Sequence, residues 1–259
     1  MKVFLAFLLL AASLWAQNAL APPQVGFIQD GRGRVLPVHG VAGNFLLGRA
    51  TSSKVVSAAF SGAFGILKTD SALLVTDSQG RAIAGVNAPE GPALFAFAPD
   101  GSPALAYFQS THAFRVWDGH TFQSAGADPA SLAVQTVLSI YSLNSALAEV
   151  LVQREDGLWE LGVQLETGVV VSQMSLPGVS APALLVAGGG LVYRDAQGFI
   201  VRREDGSEKL IPAHLTAKIA FGQMGDGWVE VTDSGAGRLF AVNVQPGSER
   251  CFLLPEVRQ

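Results

Sequence analysis

Cysteine is nearly missing from this chain: Cys251 stands alone among 259 residues, so no disulfide framework staples it. Charge is sparse too. Charged residues make up 15%, against about 25% in an average soluble domain, and 17 Lys+Arg against 21 Asp+Glu leave a net charge of −4. A chain this poor in charge and 49% hydrophobic is not a disordered tail. It has no basic field of the kind that draws nucleic acid, and none is expected as a partner. Beyond residue 16 no stretch approaches 18 consecutive apolar residues, which excludes a spanning helix in the body of the chain. Helix signals are few. Asp128–Val137 (DPASLAVQTV) offers an acid and a proline near a helix start, but it reads equally as a loop leading into a strand over Val134–Tyr141, and the loop-plus-strand reading is preferred.

One long apolar run stands at the start. Lys2 precedes VFLAFLLLAASLWA, residues Val3–Ala16, in which Ser13 is the one polar side chain. As a helix this run rises about 21 Å, short of a hydrocarbon core of about 30 Å. Residues 1–16 therefore read as a signal peptide, with cleavage after Ala16 or alternatively after Ala21, where Ala19-Leu20-Ala21 has the small-x-small pattern. The expectation is an exported protein, periplasmic or secreted, not membrane-spanning after cleavage, with residues 22–259 forming a single domain. In such an oxidising compartment the lone Cys251, set in the run CFLL, reads as a buried side chain.

What the chain has in quantity is glycine, 29 residues, and a repeat. Asp77, Asp118, Asp156, Asp195 and Asp233 each open a Gly-containing turn, at separations of 41, 38, 39 and 38. Four residues before them stand Leu73, Phe114, Val152, Leu191 and Val229; two before stand Val75, Val116, Arg154, Tyr193 and Val231. That alternation marks a strand with one buried face running into a hairpin. A second ladder follows about ten residues later: Pro89-Glu90-Gly91, Asp128-Pro129, Thr167-Gly168, Asp205-Gly206 and Pro246-Gly247. Two interleaved ladders with one period imply a repeated supersecondary unit.

Each unit reads as four short strands. One unit gives Ala93–Ala98, Ala104–Phe108, Phe114–Trp117 and Thr121–Gln123; the last gives Lys218–Phe221, Trp228–Val231, Leu239–Val244 and Cys251–Leu254. First strands are continuously apolar (VVSAAF, ALFAFA, ALLVA), which suits burial on both faces near an axis. Later strands alternate and carry Arg, Glu and Gln, which suits positions nearer to solvent. The 238 residues from Pro22 to Gln259, divided by a period of 39, give 6.1 units. The expected fold is all-β, a β-propeller of six four-stranded blades, with five or seven as the alternatives and a two-sheet sandwich as the rival that needs no constant period. The first unit shows three strands, Gly26–Gln29, Val35–Val38 and Phe45–Leu47. Ring closure is expected from pairing of the extreme C-terminal strand or of the segment after Pro23.

The segment VGFIQDGRGRVLPVHGVAGNFLLG (25–48) runs a strand to Asp30, a second strand through Pro37, and a Gly-x-x-Gly corner at Gly40 and Gly43. On these residues the chain resembles exported bacterial β-propeller repeat proteins, a group without an established activity. The resemblance spans about residues 24–255 and implies fold and compartment. Val116-Trp117-Asp118-Gly119 resembles a WD40 Trp-Asp pair but occurs once, and Trp117, Trp159 and Trp228 hold no equivalent positions.

Chemistry is harder to find. His39, His112, His120 and His214 form no close ligand pair, and each reads as a turn or surface residue. A hard cation held in the central channel would draw on Asn44, Asn87, Asn144, Asn243, Glu90 and Asp70, which need no local motif. No Gly-x-Ser-x-Gly elbow is present, and Gly188-Gly189-Gly190 reads as a tight turn between the first two strands of a blade. Arg202-Arg203 before Glu204-Asp205 reads as a solvated hairpin end, and Phe27, Phe45, Phe60, Phe64, Phe95 and Phe97 read as core. No catalytic, cofactor-binding or metal-ligating residue is assigned and no cofactor is expected. The reading is a monomeric, non-enzymatic propeller that binds a protein or glycan partner through loops at one face. Its alternative is a calcium-type metal-dependent hydrolase or lactonase with ligands lining the channel.

Overall fold

Short apolar runs cut by Gly and Asp turns satisfy their backbone groups by pairing sideways, and here they do so in six separate antiparallel sheets. The computed structural model describes residues 22–257 apart from 63, 99–103, 126–131, 133–134, 189 and 226. The leader read over residues 1–16 and most of Asp128–Val137 lie outside the described residues. Blade 1 holds β1 (Gln24–Gln29), β2 (Val35–Val41) and β3 (Asn44–Leu47). Blade 2 holds β4 (Ser57–Phe60), β5 (Phe64–Lys68), β6 (Ala72–Asp77) and β7 (Ala82–Asn87). Blade 3 holds β8 (Ala93–Phe97), β9 (Ala104–Phe108), β10 (Ala113–Trp117) and β11 (Phe122–Ser124). Blade 4 holds β12 (Thr136–Ser142), β13 (Leu147–Arg154), β14 (Gly157–Gln164) and β15 (Val170–Ser175). Blade 5 holds β16 (Ala183–Val186), β17 (Gly190–Asp195), β18 (Gly198–Arg202) and β19 (Glu208–Pro212). Blade 6 holds β20 (Ile219–Gly225), β21 (Trp228–Asp233), β22 (Arg238–Asn243) and β23 (Arg250–Leu253). The expected all-β propeller of six blades is this fold, with three strands in the first blade, as its sequence indicates.

The core lies between blades. Six clusters of buried side chains each draw on two neighbouring blades, one cluster to a seam. The seam of blades 6 and 1 closes the ring through Ile28, Leu36, Val38, Phe45, Met224, Ala241 and Leu254. Phe45 meets Trp228 edge-on at 5.7 Å and Phe252 at 5.6 Å there, a geometry that favours aromatic pairs by about 1 kcal/mol beyond their buried area. The expected closure by a strand shared between the chain ends does not occur: β23 stays beside β22, and β1 opens its own blade. Side-chain packing closes the ring instead.

The late residues Phe60, Phe97, Tyr141, Val186 and Gly225 of β4, β8, β12, β16 and β20 meet at one axial cavity, and the earlier Ser57, Ala93, Leu138, Leu184 and Ala220 meet at another. These five inner strands therefore run the same way along the axis; the end where they finish is termed the upper mouth. β1 runs the other way. Its Gly26 lies against the Met224 carbonyl, so close that a Cβ would stand 2.1 Å from that oxygen, while Gln29 reaches Glu230, whose ladder partner is Gly222. β20 packs directly on β4. Blade 1 thus lacks an innermost strand, and its three strands correspond to the second, third and fourth of the other blades.

The Asp ladder marks two kinds of hairpin. Asp77 and Asp118 end third strands, β6 and near β10, whereas Asp156, Asp195 and Asp233 end second strands. The constant period is a coincidence of slipped positions: inner strands begin 36, 43, 47 and 36 residues apart, at Ser57, Ala93, Thr136, Ala183 and Ile219.

Candidate functional site

At the upper mouth the inner strands deliver apolar ends. Phe60, Phe97, Tyr141, Val186 and Val229 surround a cavity of about 380 Å³, with Trp228 and the β22–β23 turn residues Gln245 and Pro246 at its side. Among the described residues, no charged side chain lines it. The Tyr141 hydroxyl accepts the Gly188 N–H at 3.2 Å, and its own proton has no acceptor among the described residues. Gly188 has φ +82, a left-handed conformation that glycine adopts without strain; Gly189 of the Gly-Gly-Gly run lies outside the described residues and Gly190 opens β17.

Below lies a second chamber of about 370 Å³ along the inner strands. Gln223 lines both cavities and crosses the axis between them, donating from Nε2 to the Phe95 carbonyl of blade 3 at 3.4 Å. The lower chamber contains the axial carboxylate, Glu230, which is 7% exposed. It reaches past Gly222, which has no side chain to block it. One of its oxygens accepts the Gln29 N–H at 2.9 Å and the other the Thr232 hydroxyl at 3.3 Å. Burial pushes its pKa up to about 7 against those hydrogen bonds, with Asp30 adding repulsion. The sequence places Glu on later strands near solvent; Glu230 departs from that because β1, not water, covers this face of β21.

A third cavity, about 680 Å³, opens on the upper side between blades 4 and 5 and joins the mouth at Tyr141. Glu149 and Glu160 lie on its wall, diagonal neighbours on the β13–β14 ladder. Burial raises both, and Glu160 and Glu204 press Glu149 further, to about 7. The nearby cations are already engaged. Arg202 pairs with Glu208 at 2.7 Å, and Arg203 pairs with Glu249 of blade 6. The solvated hairpin expected at Arg202-Arg203 is therefore corrected: Arg203 ties two blades together.

Most Asp side chains are spent on turns. Asp30 Oδ1 accepts the N–H groups of Arg32 and Arg34 while Oδ2 accepts Arg34 Nε at 2.7 Å, and Asp77 does the same with Gln79 and Arg81. The signature Asp-x-x-Gly-Arg is visible in the sequence at both places. Asn144 and Asn243 likewise accept backbone N–H groups of their own turns. None of Asn44, Asn87, Asn144, Asn243, Glu90 and Asp70 lines either axial chamber, so the structure does not bring the expected cation ligands together. Among the described residues, the carboxylates and amides lining the axial chambers are Gln29, Asp30, Gln223, Glu230 and Gln245, from blades 1 and 6. Among the described residues, no three His, Cys, Asp or Glu side chains gather into a metal-holding group. His112 bonds Tyr107 through Nδ1 at 2.9 Å. Cys251 packs beside the seam of blades 5 and 6, and burial pushes its thiol up to about 11. Phe27, Phe45, Phe60, Phe95 and Phe97 are buried, and Phe64 is partly so, as read.

No protein-family model matches this chain, and no curated protein sequence does. Solved structures match in fold. A chain of a nidogen/laminin complex aligns with TM-score 0.56 and 11% identity, over 90% of this chain and 99% of that one. The β-propeller domain of Cps50 (Swd1) from Myceliophteria thermophila aligns with TM-score 0.48 and 12% identity, over 88% and 82%. Hydrazine synthase of Kuenenia stuttgartiensis aligns with TM-score 0.46 and 12% identity, over 87% and 78%. The likeness is one of propeller architecture.

Proposed function

We propose that this chain is an exported, non-enzymatic propeller whose upper face binds a protein partner, seating an apolar side chain in the axial mouth and a basic one in the groove between blades 4 and 5. The observation that carries this reading is the junction at Tyr141 of an aromatic mouth, uncharged among the described residues, with a groove holding Glu149 and Glu160, neither of which has a counter-ion among those residues. Export rests on the leader pattern of residues 1–16. A basic group entering the groove relieves the repulsion between its carboxylates and is itself matched by their charge. A neutral glycan would use the mouth and leave those carboxylates idle.

Peptide display against the purified chain at pH 8 tests this. Selected peptides carry Arg or Lys next to an aromatic or aliphatic residue, and their affinity falls at least tenfold in the double variant E149Q/E160Q. Binding also weakens from pH 8 to pH 6, as Glu149, with its pKa of about 7, takes up its proton. Neutral selected sequences, or equal binding by the double variant, would sink the reading.

A further inference from the structure

The lower chamber presents acceptors. Gln29 gives its Nε2 to the Val55 carbonyl at 2.7 Å and Gln223 gives its Nε2 to the Phe95 carbonyl, so both amides keep their Oε1 atoms, which have no donor among the described residues. Glu230 lines the same chamber, nine-tenths buried, with two hydrogen bonds and no cationic partner among the described residues. The other titratable group on the wall, Asp30, is already paired with Arg34. Its carboxyl is held below the ordinary range by bonds from Arg34 and Arg32 that outweigh its burial. On either side of Glu230 the ladder places Gly222 and Ala241, neither of which titrates. β4, β8, β12, β16 and β20 add no charged side chain to the wall. The remainder is the hydroxyls of Ser57, Ser139 and Thr232, engaged with Ala93 N–H, Leu185 N–H and Glu230, and an apolar surface that includes Leu94, Leu138 and Leu184, around about 370 Å³. One uncompensated negative charge, two amide carbonyls and an apolar wall suit a ligand with a donor-only cationic head and a short hydrocarbon body. A multivalent ion finds one free carboxylate where it needs several, and an anion meets repulsion.

We propose that the lower chamber binds a monovalent organic cation, a primary alkylammonium whose head meets Glu230 and the two glutamine carbonyl oxygens. This site lies below the upper mouth, with which it shares Gln223, and the proposal does not depend on the reading given for the upper face.

The test is thermal unfolding of the purified chain in sodium phosphate with n-butylammonium chloride, which stays charged between pH 5.5 and 8. The midpoint rises and saturates, as a ligand selective for the native state requires, with an apparent Kd at least tenfold lower at pH 8 than at pH 5.5. n-Butanol and KCl at the same concentrations leave the midpoint where it was. E230Q, which keeps an acceptor for Gln29 N–H, loses the response, while E149Q/E160Q retains it. A pH-independent response, or an equal response to KCl or n-butanol, overturns the proposal, as does loss of the response in E149Q/E160Q. Should E230Q not fold, the pH profile of the unaltered chain decides alone.

Discussion

Asp233 shows how a charged residue earns a place in this core. It is fully buried, and it accepts the Thr216 N–H at 3.1 Å, the Thr216 hydroxyl, the Ala236 N–H and Arg238 at 2.8 Å. Burial alone would raise its pKa, but those bonds override it and take the value to about 2. Asp233→Ala strands several donors and should cost roughly 3 kcal/mol in urea unfolding at pH 7. Because the folded pKa lies below the ordinary value of 3.8, the stability this carboxylate contributes is complete above about pH 4 and lost as pH falls through about 2. The variant should therefore show a shallower acid limb than the parent chain between pH 4 and 2, and identical limbs would contradict the assignment. Lys68 is a second buried charge; its ammonium, donating to the Asp70 carbonyl at 2.7 Å, is pushed below the ordinary range by burial, with Asp70 and Glu90 opposing. Turn aspartates were legible in the sequence because the side chain and its backbone donors are local. Glu230 was not, because what buries it lies about two hundred residues away in β1.

At the scale of elements, blade 1 depends on a close backbone approach. A Cβ on Gly26 would stand 2.1 Å from the Met224 oxygen, a backbone atom that cannot swing aside. Gly26→Ala should push β1 off β20 and cost roughly 2 kcal/mol, read as an earlier unfolding midpoint by tryptophan fluorescence. Gly31→Ala serves as its control, since a Cβ there meets nothing within 4 Å; an equal loss in both variants would show that the seam is not the cause. Strand positions read from alternation agree closely with the structure, for instance Ala104–Phe108 and β9. Which strand of a blade each run forms was less legible. The Asp anchors keep an even spacing while moving from the third strand to the second, because the longer path between β11 and β12 absorbs the slip.

For the whole molecule, unequal blades imply unequal stability. Blade 4 has the eight-residue strands β13 and β14, with Val150, Leu151, Val152, Leu161 and Val163 buried. Blade 1 has three strands and no inner one. Native-state hydrogen exchange should find the amides of β1–β3 opening at a lower free energy than those of β13 and β14. Exchange of both sets together at the global limit would refute that ranking. The blade number followed from chain length and mean period, but the direction of β1 and the lower chamber it helps to line arise from tertiary packing that no local pattern encodes. Gln223 has a consequence at this same scale. It is one side chain lining two rooms, its amide hydrogen-bonded across the axis to Phe95. An occupant that pulls this amide toward one end withdraws it from the other, so occupants of the two ends are thermodynamically linked. Each must then change the affinity of the other by the same factor, although neither touches it.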